Sequence, residues 1–157
     1  MHLITGLPLT EQGVTNILSI IDRFSKYAIF IPMQSDTTAS AVANAFVVHV
    51  VRLFSVPKSI ASDRDKRFTS QFWRVMWKTL GVSLRFSSAY HPYTDGQTER
   101  MHRTLEQVLR LLLKGNDSKW AEYLPYAEMY MNSTPNASTQ RSPHKIVFGK
   151  PALNPFV

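Results

Sequence analysis

The order of its apolar runs restricts this chain more than any other feature. Three short extended segments come first: Met1 to Thr5, Val14 to Asp22 and Tyr27 to Pro32. Turn residues separate them, with Gly6 and Pro8 in the first gap and Arg23 to Lys26 in the second. β-Branched runs on short connections predict an antiparallel meander. Beyond it the pattern alternates between helix and strand. Thr37 or Thr38 can cap a helix whose Val42, Phe46, Val50 and Leu53 share one face, and Pro57 stops it. Ser59 to Ser62 reads as a strand with Asp63 just past its end. Thr69 or Ser70 starts a second helix carrying Phe72, Val75, Met76 and Leu80, closed by Gly81, and Val82 to Phe86 is a fifth strand. Residues 87–98 read as a polar loop. A long helix follows with Met101, Leu105, Val108, Leu109 and Leu112 inward; Lys114-Gly115-Asn116 ends it. Trp120 to Tyr130 is one more helix, and the proline-punctuated tail from Ser133 reads as mostly irregular.

The expected class is therefore α/β, a mixed sheet flanked by helices. Sites in such folds gather at strand ends and helix starts. Asp63 lies at a strand end and Glu99 at a helix start, with 35 residues between them. Two acids held close repel each other, and cations usually neutralise such a pair. Hard oxygen ligands suit Mg²⁺ or Mn²⁺. Taken alone, the same two acids suit a turn cap and a helix N-terminus equally well.

Composition narrows the partners. The net charge is +7, and residues 1–57 contribute none of it. The excess lies in residues 58–157, which carry 15 basic and 8 acidic groups. A one-sided positive field favours a polyanion such as DNA, although a basic solvated surface gives the same count. There are no cysteines, which excludes disulfides and cysteine-based zinc sites. No apolar stretch approaches the roughly 20 residues of a membrane span. No secretory leader is visible, and the expectation is an intracellular protein with no membrane partner.

The surroundings of the two acids are more specific than the acids. Ser62-Asp63-Arg64-Asp65-Lys66-Arg67-Phe68-Thr69-Ser70-Gln71-Phe72-Trp73 and Ala89-Tyr90-His91-Pro92-Tyr93-Thr94-Asp95-Gly96-Gln97-Thr98-Glu99-Arg100 closely resemble motifs of gypsy-type retrotransposon integrases. So do Ile4-Thr5-Gly6-Leu7-Pro8 and Ile21-Asp22-Arg23-Phe24-Ser25-Lys26. The likeness continues in Trp120, Leu124-Pro125, Ala127-Glu128, Asn132, Ser142-Pro143 and Phe148-Gly149. It covers residues 1–150, taken as one catalytic-core domain, with 151–157 as a C-terminal tail. The resemblance implies an RNase H-like fold with a five-stranded mixed sheet and a D,D-35-E site. It implies DNA cutting and joining with Mg²⁺ or Mn²⁺ on three carboxylates, a homodimer or higher oligomer, and a nuclear location. Asp63 takes the place of the second carboxylate and Glu99 that of the third.

The first carboxylate is missing. The family pattern Met-Asp-(Phe or Leu)-Ile-Thr-Gly-Leu-Pro meets Met1-His2-Leu3-Ile4-Thr5-Gly6-Leu7-Pro8 here, so His2 stands at that position. A neutral imidazole offers one lone pair and no negative charge, and Mg²⁺ prefers oxygen. Two-metal assembly is expected to be impaired, with a single softer ion such as Mn²⁺ still able to use His2, Asp63 and Glu99. Asp22 is not expected to substitute, and Asp65 is expected to shape the turn. Tyr93 and His102 replace the family's frequent Gln and Asn beside the expected DNA path. A strand beginning at Met1 suggests a fragment, or a reading frame started at an internal methionine.

On the long helix, Glu99, His102, Arg103, Glu106 and Arg110 form a stripe opposite the apolar one. Arg100, Arg103, His102 and Arg110, with Lys66, are the candidate DNA contacts. A solvated face with Arg-Glu pairing is the plainer reading of that stripe. Trp73, Trp77 and Phe72 read as core or dimer interface. Two functions remain: an integrase core impaired at His2, or a catalytically inactive descendant that binds nucleic acid or protein.

Overall fold

A computed structural model describes residues 1–87 and 92–153, with the backbone alone for residues 92–95. Three strands open the chain, β1 (His2–Ile4), β2 (Val14–Ile21) and β3 (Ala28–Gln34), joined as an antiparallel meander. His2 faces Ser19 across the first pair, and Leu18 faces Ile31 across the second. β4 (Ser59–Ser62) and β5 (Ser83–Phe86) form a separate parallel ladder. All five expected strands are present, in hydrogen-bonded ladders of three and two. The Met1 amino group donates to the Ala61 carbonyl at 2.7 Å, which sets the start of β1 beside β4.

Helices cover both faces of β2 and β3, because successive residues of a strand point to opposite sides. Leu18, Ile31 and Met33 pack under α1 (Ala39–Phe46) and α4 (Gln71–Thr79), where Val42, Phe46, Trp73 and Trp77 are buried. Ile17, Ala28 and Phe30 take the other face, against α5 (Pro92–Leu113) and α6 (Trp120–Ser133). Leu105, Leu109 and Leu113 recur on α5 at helical spacing and are buried there. A one-residue slip of β2 would exchange Ile17 and Leu18 between the layers, so both cores fix its register.

Several boundaries differ from the sequence reading. Thr38 does cap α1, its Oγ1 accepting from Ala41 N–H at 3.1 Å. The helix then widens into a π-turn over Val47–Val51 before α2 (Arg52–Phe54). That turn breaks the 3.6-residue phase, leaving Leu53 59% exposed and off the face of Val42 and Phe46. A short helix, α3 (Lys66–Thr69), precedes α4 and buries Phe68. Ser70 caps α4 through Trp73 N–H. Phe72 is 49% exposed and does not join Trp73 and Trp77 in the core, because one helical step swings it about 100° away. The expected polar loop over 87–98 is shorter, since α5 is helical from Pro92, a residue that suits a first helical turn. Residues 88–91 of that expected loop lie outside the described residues. The tail also holds α7 (Pro143–Phe148), capped by Ser142 and closed by left-handed Gly149.

The outer edge of β3 is closed by α6 rather than by another strand. The Asn132 side-chain oxygen accepts from Ala28 N–H at 2.8 Å, and its amide donates to the Ala28 carbonyl at 2.7 Å. Glu128 accepts from Phe30 N–H at 2.8 Å. These bonds satisfy backbone groups that an open edge would offer to another chain.

Candidate active site at the meeting of β1, β4 and α5

Three elements bring the site together. β1 presents His2, which its register sets opposite Ser19. The segment after β4 presents Asp63, and the helix α5 passes over β2 with His102 inward. His2 Nδ1 lies 3.4 Å from Asp63 Oδ2. The rings of His2 and His102 meet edge to face, with centroids 5.6 Å apart. His102 Nε2 is 3.0 Å from Ser19 Oγ, a hydroxyl that is fully buried.

Asp63 is half-buried, and its Oδ1 accepts from Asp65 N–H at 3.0 Å. Burial raises its pKa; the His2 side chain, the Asp65 N–H and nearby positive charge together hold it below the ordinary carboxylate value. Asp65 shapes the turn as expected. Its carboxylate caps α3 through Arg67 N–H at 2.9 Å and pairs with the Arg67 guanidinium at 2.9 Å. Asp22 is likewise committed, its Oδ2 accepting from Ser25 N–H and Oγ–H at 2.8 and 2.6 Å.

His102 departs from the sequence reading. It does not stand on the solvated stripe but faces the sheet, half-buried, on the side of α5 that carries Leu105 and Leu109. Burial lowers its pKa to about 4, helped by charge on His2 and on the Met1 amine. Its imidazole is therefore neutral near pH 7. Ser19 was not marked by the sequence. The available signal was one hydroxyl inside the apolar run Val14–Ile21, on the same face as Ile17.

Glu99 lies three residues before His102 on α5 and is exposed. Arg100, Arg103 and Arg110 are also exposed on that helix, and Lys66 is exposed at the start of α3. Arg100 Nε donates to the Gly96 carbonyl at 3.1 Å. Tyr93 lies outside the described side chains. The turn between β2 and β3 reaches α5 as well, with Lys26 Nζ donating to Gln97 Oε1 at 2.8 Å.

The donor set does not fit a pair of Mg²⁺ ions. Such a pair is usually bridged by a carboxylate with an oxygen for each ion, and this place holds one imidazole. His2 Nδ1 is also the neighbour of Asp63 Oδ2, at 3.4 Å. Among the described residues no group of three His, Asp or Glu side chains is close enough to hold a metal.

Residues 4–92 match the family described as integrase core domain. The chain belongs to that family. The matched stretch includes Asp63 and leaves His2 and Glu99 outside. This integrase core is 36% identical to the Tf2-3 and Tf2-4 transposon polyproteins of Schizosaccharomyces pombe over 157 residues, 99% of the chain. It spans only 12% of the length of those relatives. Among solved structures it is similar to a simian T-cell lymphotropic virus intasome chain, at TM-score 0.74 and 17% identity over 98% of this chain and 56% of that one. It also superposes on the catalytic core domain of BIV integrase, at TM-score 0.69 and 21% identity over 92% of this chain and 91% of that one. The HTLV-2 integrase core, solved in complex with magnesium in a trimeric form, gives TM-score 0.69 at 14% identity over 92% and 94%. These likenesses show the RNase H-like fold of the integrase core.

Proposed function

We propose that this integrase core engages DNA and that its strand-transfer chemistry is impaired at His2. The observation that carries the reading is the 3.4 Å contact between His2 and Asp63. A second carboxylate here would add negative charge and recruit cations. An imidazole instead satisfies Asp63 from within the chain, and when protonated it neutralises it. Two-metal phosphoryl transfer then lacks its bridging ligand. A single softer ion such as Mn²⁺ remains compatible with an imidazole nitrogen beside a carboxylate.

DNA contact is assigned to exposed cations, Arg100, Arg103 and Arg110 on α5, the helix of Glu99, with Lys66 on α3. Phosphate contacts of this kind position a duplex without reading its sequence. His102 is removed from that set, because its ring is turned into the sheet. Self-association is assigned to the exposed apolar face of α4, where Phe72 and Val75 are 49% and 55% exposed. A nuclear location follows from the same reading.

The alternative, an inactive integrase-derived domain that binds nucleic acid or protein, is favoured by the same His2–Asp63 contact. Asp63 and Glu99 themselves favour the enzyme, since a long-silent site has no reason to keep its other acids. Disintegration of branched DNA tests the choice. The expected result is no turnover with Mg²⁺ and weak turnover with Mn²⁺. Efficient turnover with Mg²⁺ contradicts the impairment, and no turnover with either ion while DNA still binds favours the inactive domain.

A further inference from the structure

The turn between β2 and β3, which touches α5 through Lys26 and Gln97, holds Phe24 out into solvent. Phe24 is 82% exposed, more than any other Phe, Tyr or Trp among the described residues. It belongs to neither buried core. Turn tips ordinarily carry Gly, Asn, Asp or Ser, so an aromatic ring here needs another reason.

The turn is built without help from that ring. Asp22 N–H donates to the Tyr27 carbonyl at 2.8 Å, and Lys26 N–H donates to the Asp22 carbonyl at 2.9 Å. The Asp22 carboxylate takes both donors of Ser25, and Ser25 Oγ accepts from Tyr27 N–H at 3.1 Å. Lys26 sits in the left-handed region at φ 65°. Its ammonium donates to the Arg23 carbonyl at 2.7 Å and to Gln97 Oε1 at 2.8 Å. The second bond ties the turn to the first turns of α5, two residues before Glu99. Phe24 thus stands out from a hydrogen-bonded turn, with the exposed Arg23 next to it.

We propose that Phe24 is a stacking platform for an unpaired base of DNA close to the strand end, with Arg23 on the neighbouring phosphate. Aromatic faces beside cations are the usual means of holding single-stranded nucleic acid, and every base has a face to offer. Bases inside a duplex are already stacked on each other. The platform therefore selects frayed or single-stranded ends and adds little on a blunt duplex. This inference rests on the DNA-binding reading above.

The test uses the whole chain and two DNAs, a blunt duplex and the same duplex with a short single-stranded 3′ extension carrying 2-aminopurine. Affinity and 2-aminopurine emission are measured for the chain and for Phe24→Ala and Phe24→Trp. The expected result is tighter binding of the extended DNA with quenched emission, about tenfold loss of that affinity in Phe24→Ala, and recovery in Phe24→Trp. Blunt-duplex binding stays within about twofold in all three. Unchanged affinity and quenching in Phe24→Ala overturn the platform while leaving the DNA reading intact. Equal weakening on both DNAs also overturns it. Binding of neither DNA by the unsubstituted chain overturns the DNA reading and the platform together.

Discussion

His2 Nδ1 stands 3.4 Å from Asp63 Oδ2, across the meeting of two strands that belong to different hydrogen-bonded ladders. The resemblance to integrases implies that these two positions correspond to the family's first and second carboxylates. Where two acids would repel, this chain has an imidazole and an acid that attract. On the function proposed above, that pairing stands where a metal-binding carboxylate would otherwise be, so a two-metal site would lack one of its ligands.

His102 makes stability depend on pH. Its pKa falls from 6.5 unfolded to about 4 folded, first because of burial and then because of charge on His2 and the Met1 amine. The unfolded chain therefore binds the proton more readily, and stability is lost as pH falls from about 6.5 to about 4. Above that window His102 contributes no slope. Thermal melts across it should show a falling midpoint, and His102→Gln should flatten the fall. Asp63, held below its ordinary value, adds loss only at the acid end, as pH falls through its own lower range.

Asn132 closes the β3 edge with two hydrogen bonds to one residue, Ala28, and all the groups involved are buried. Asn132→Ala leaves an N–H and a carbonyl unpaired, at a cost of about 2–4 kcal/mol in urea unfolding with an unchanged slope. Glu128 behaves oppositely. Burial raises its pKa above 4.5 despite the bond from Phe30 N–H, so its charged form costs stability as pH rises through the raised value. Glu128→Gln keeps an acceptor for Phe30 and should be more stable than the parent at pH 7. That difference should vanish at pH 3, where the parent carboxyl is protonated.

Arg100 and Arg103 should contribute to DNA affinity through phosphates alone. Replacing either by Ala should weaken binding by a similar factor on unrelated duplexes and lower the log–log salt slope by about 1. A change confined to one DNA sequence would show base contact instead. Equal slopes for parent and variant would remove that residue from the interface.

Much of this was legible in the sequence because each signal was local. The meander, the Thr38 and Ser70 caps and the α5 core stripe follow from periodicity and capping chemistry. The replacement at His2 is implied by the resemblance of the flanking segment Met1 to Pro8 alone. The sequence leaves the side of His102 open because helical spacing alone does not fix the edge of a stripe, and the buried Ser19 hydroxyl on the facing strand decides it. The exposure of Leu53 depends on a π-turn that carries no local marker. In the sequence, Asn132 and Glu128 stand out only as parts of a resemblance. Their work is to close an edge strand about 100 residues away in the chain, a pairing that no window of sequence contains.

The most direct test of the central claim is Mn²⁺ and Mg²⁺ binding, followed by calorimetry, to the chain and to His2→Asp. The account predicts no measurable Mg²⁺ site and at most one weak Mn²⁺ site in the parent. It predicts that His2→Asp gains at least tenfold in Mn²⁺ affinity and acquires Mg²⁺ binding, a free-energy change of about 1.4 kcal/mol or more. Equal affinity and stoichiometry for the two proteins would contradict it, showing that the imidazole at His2 does not stand in the way of the metals.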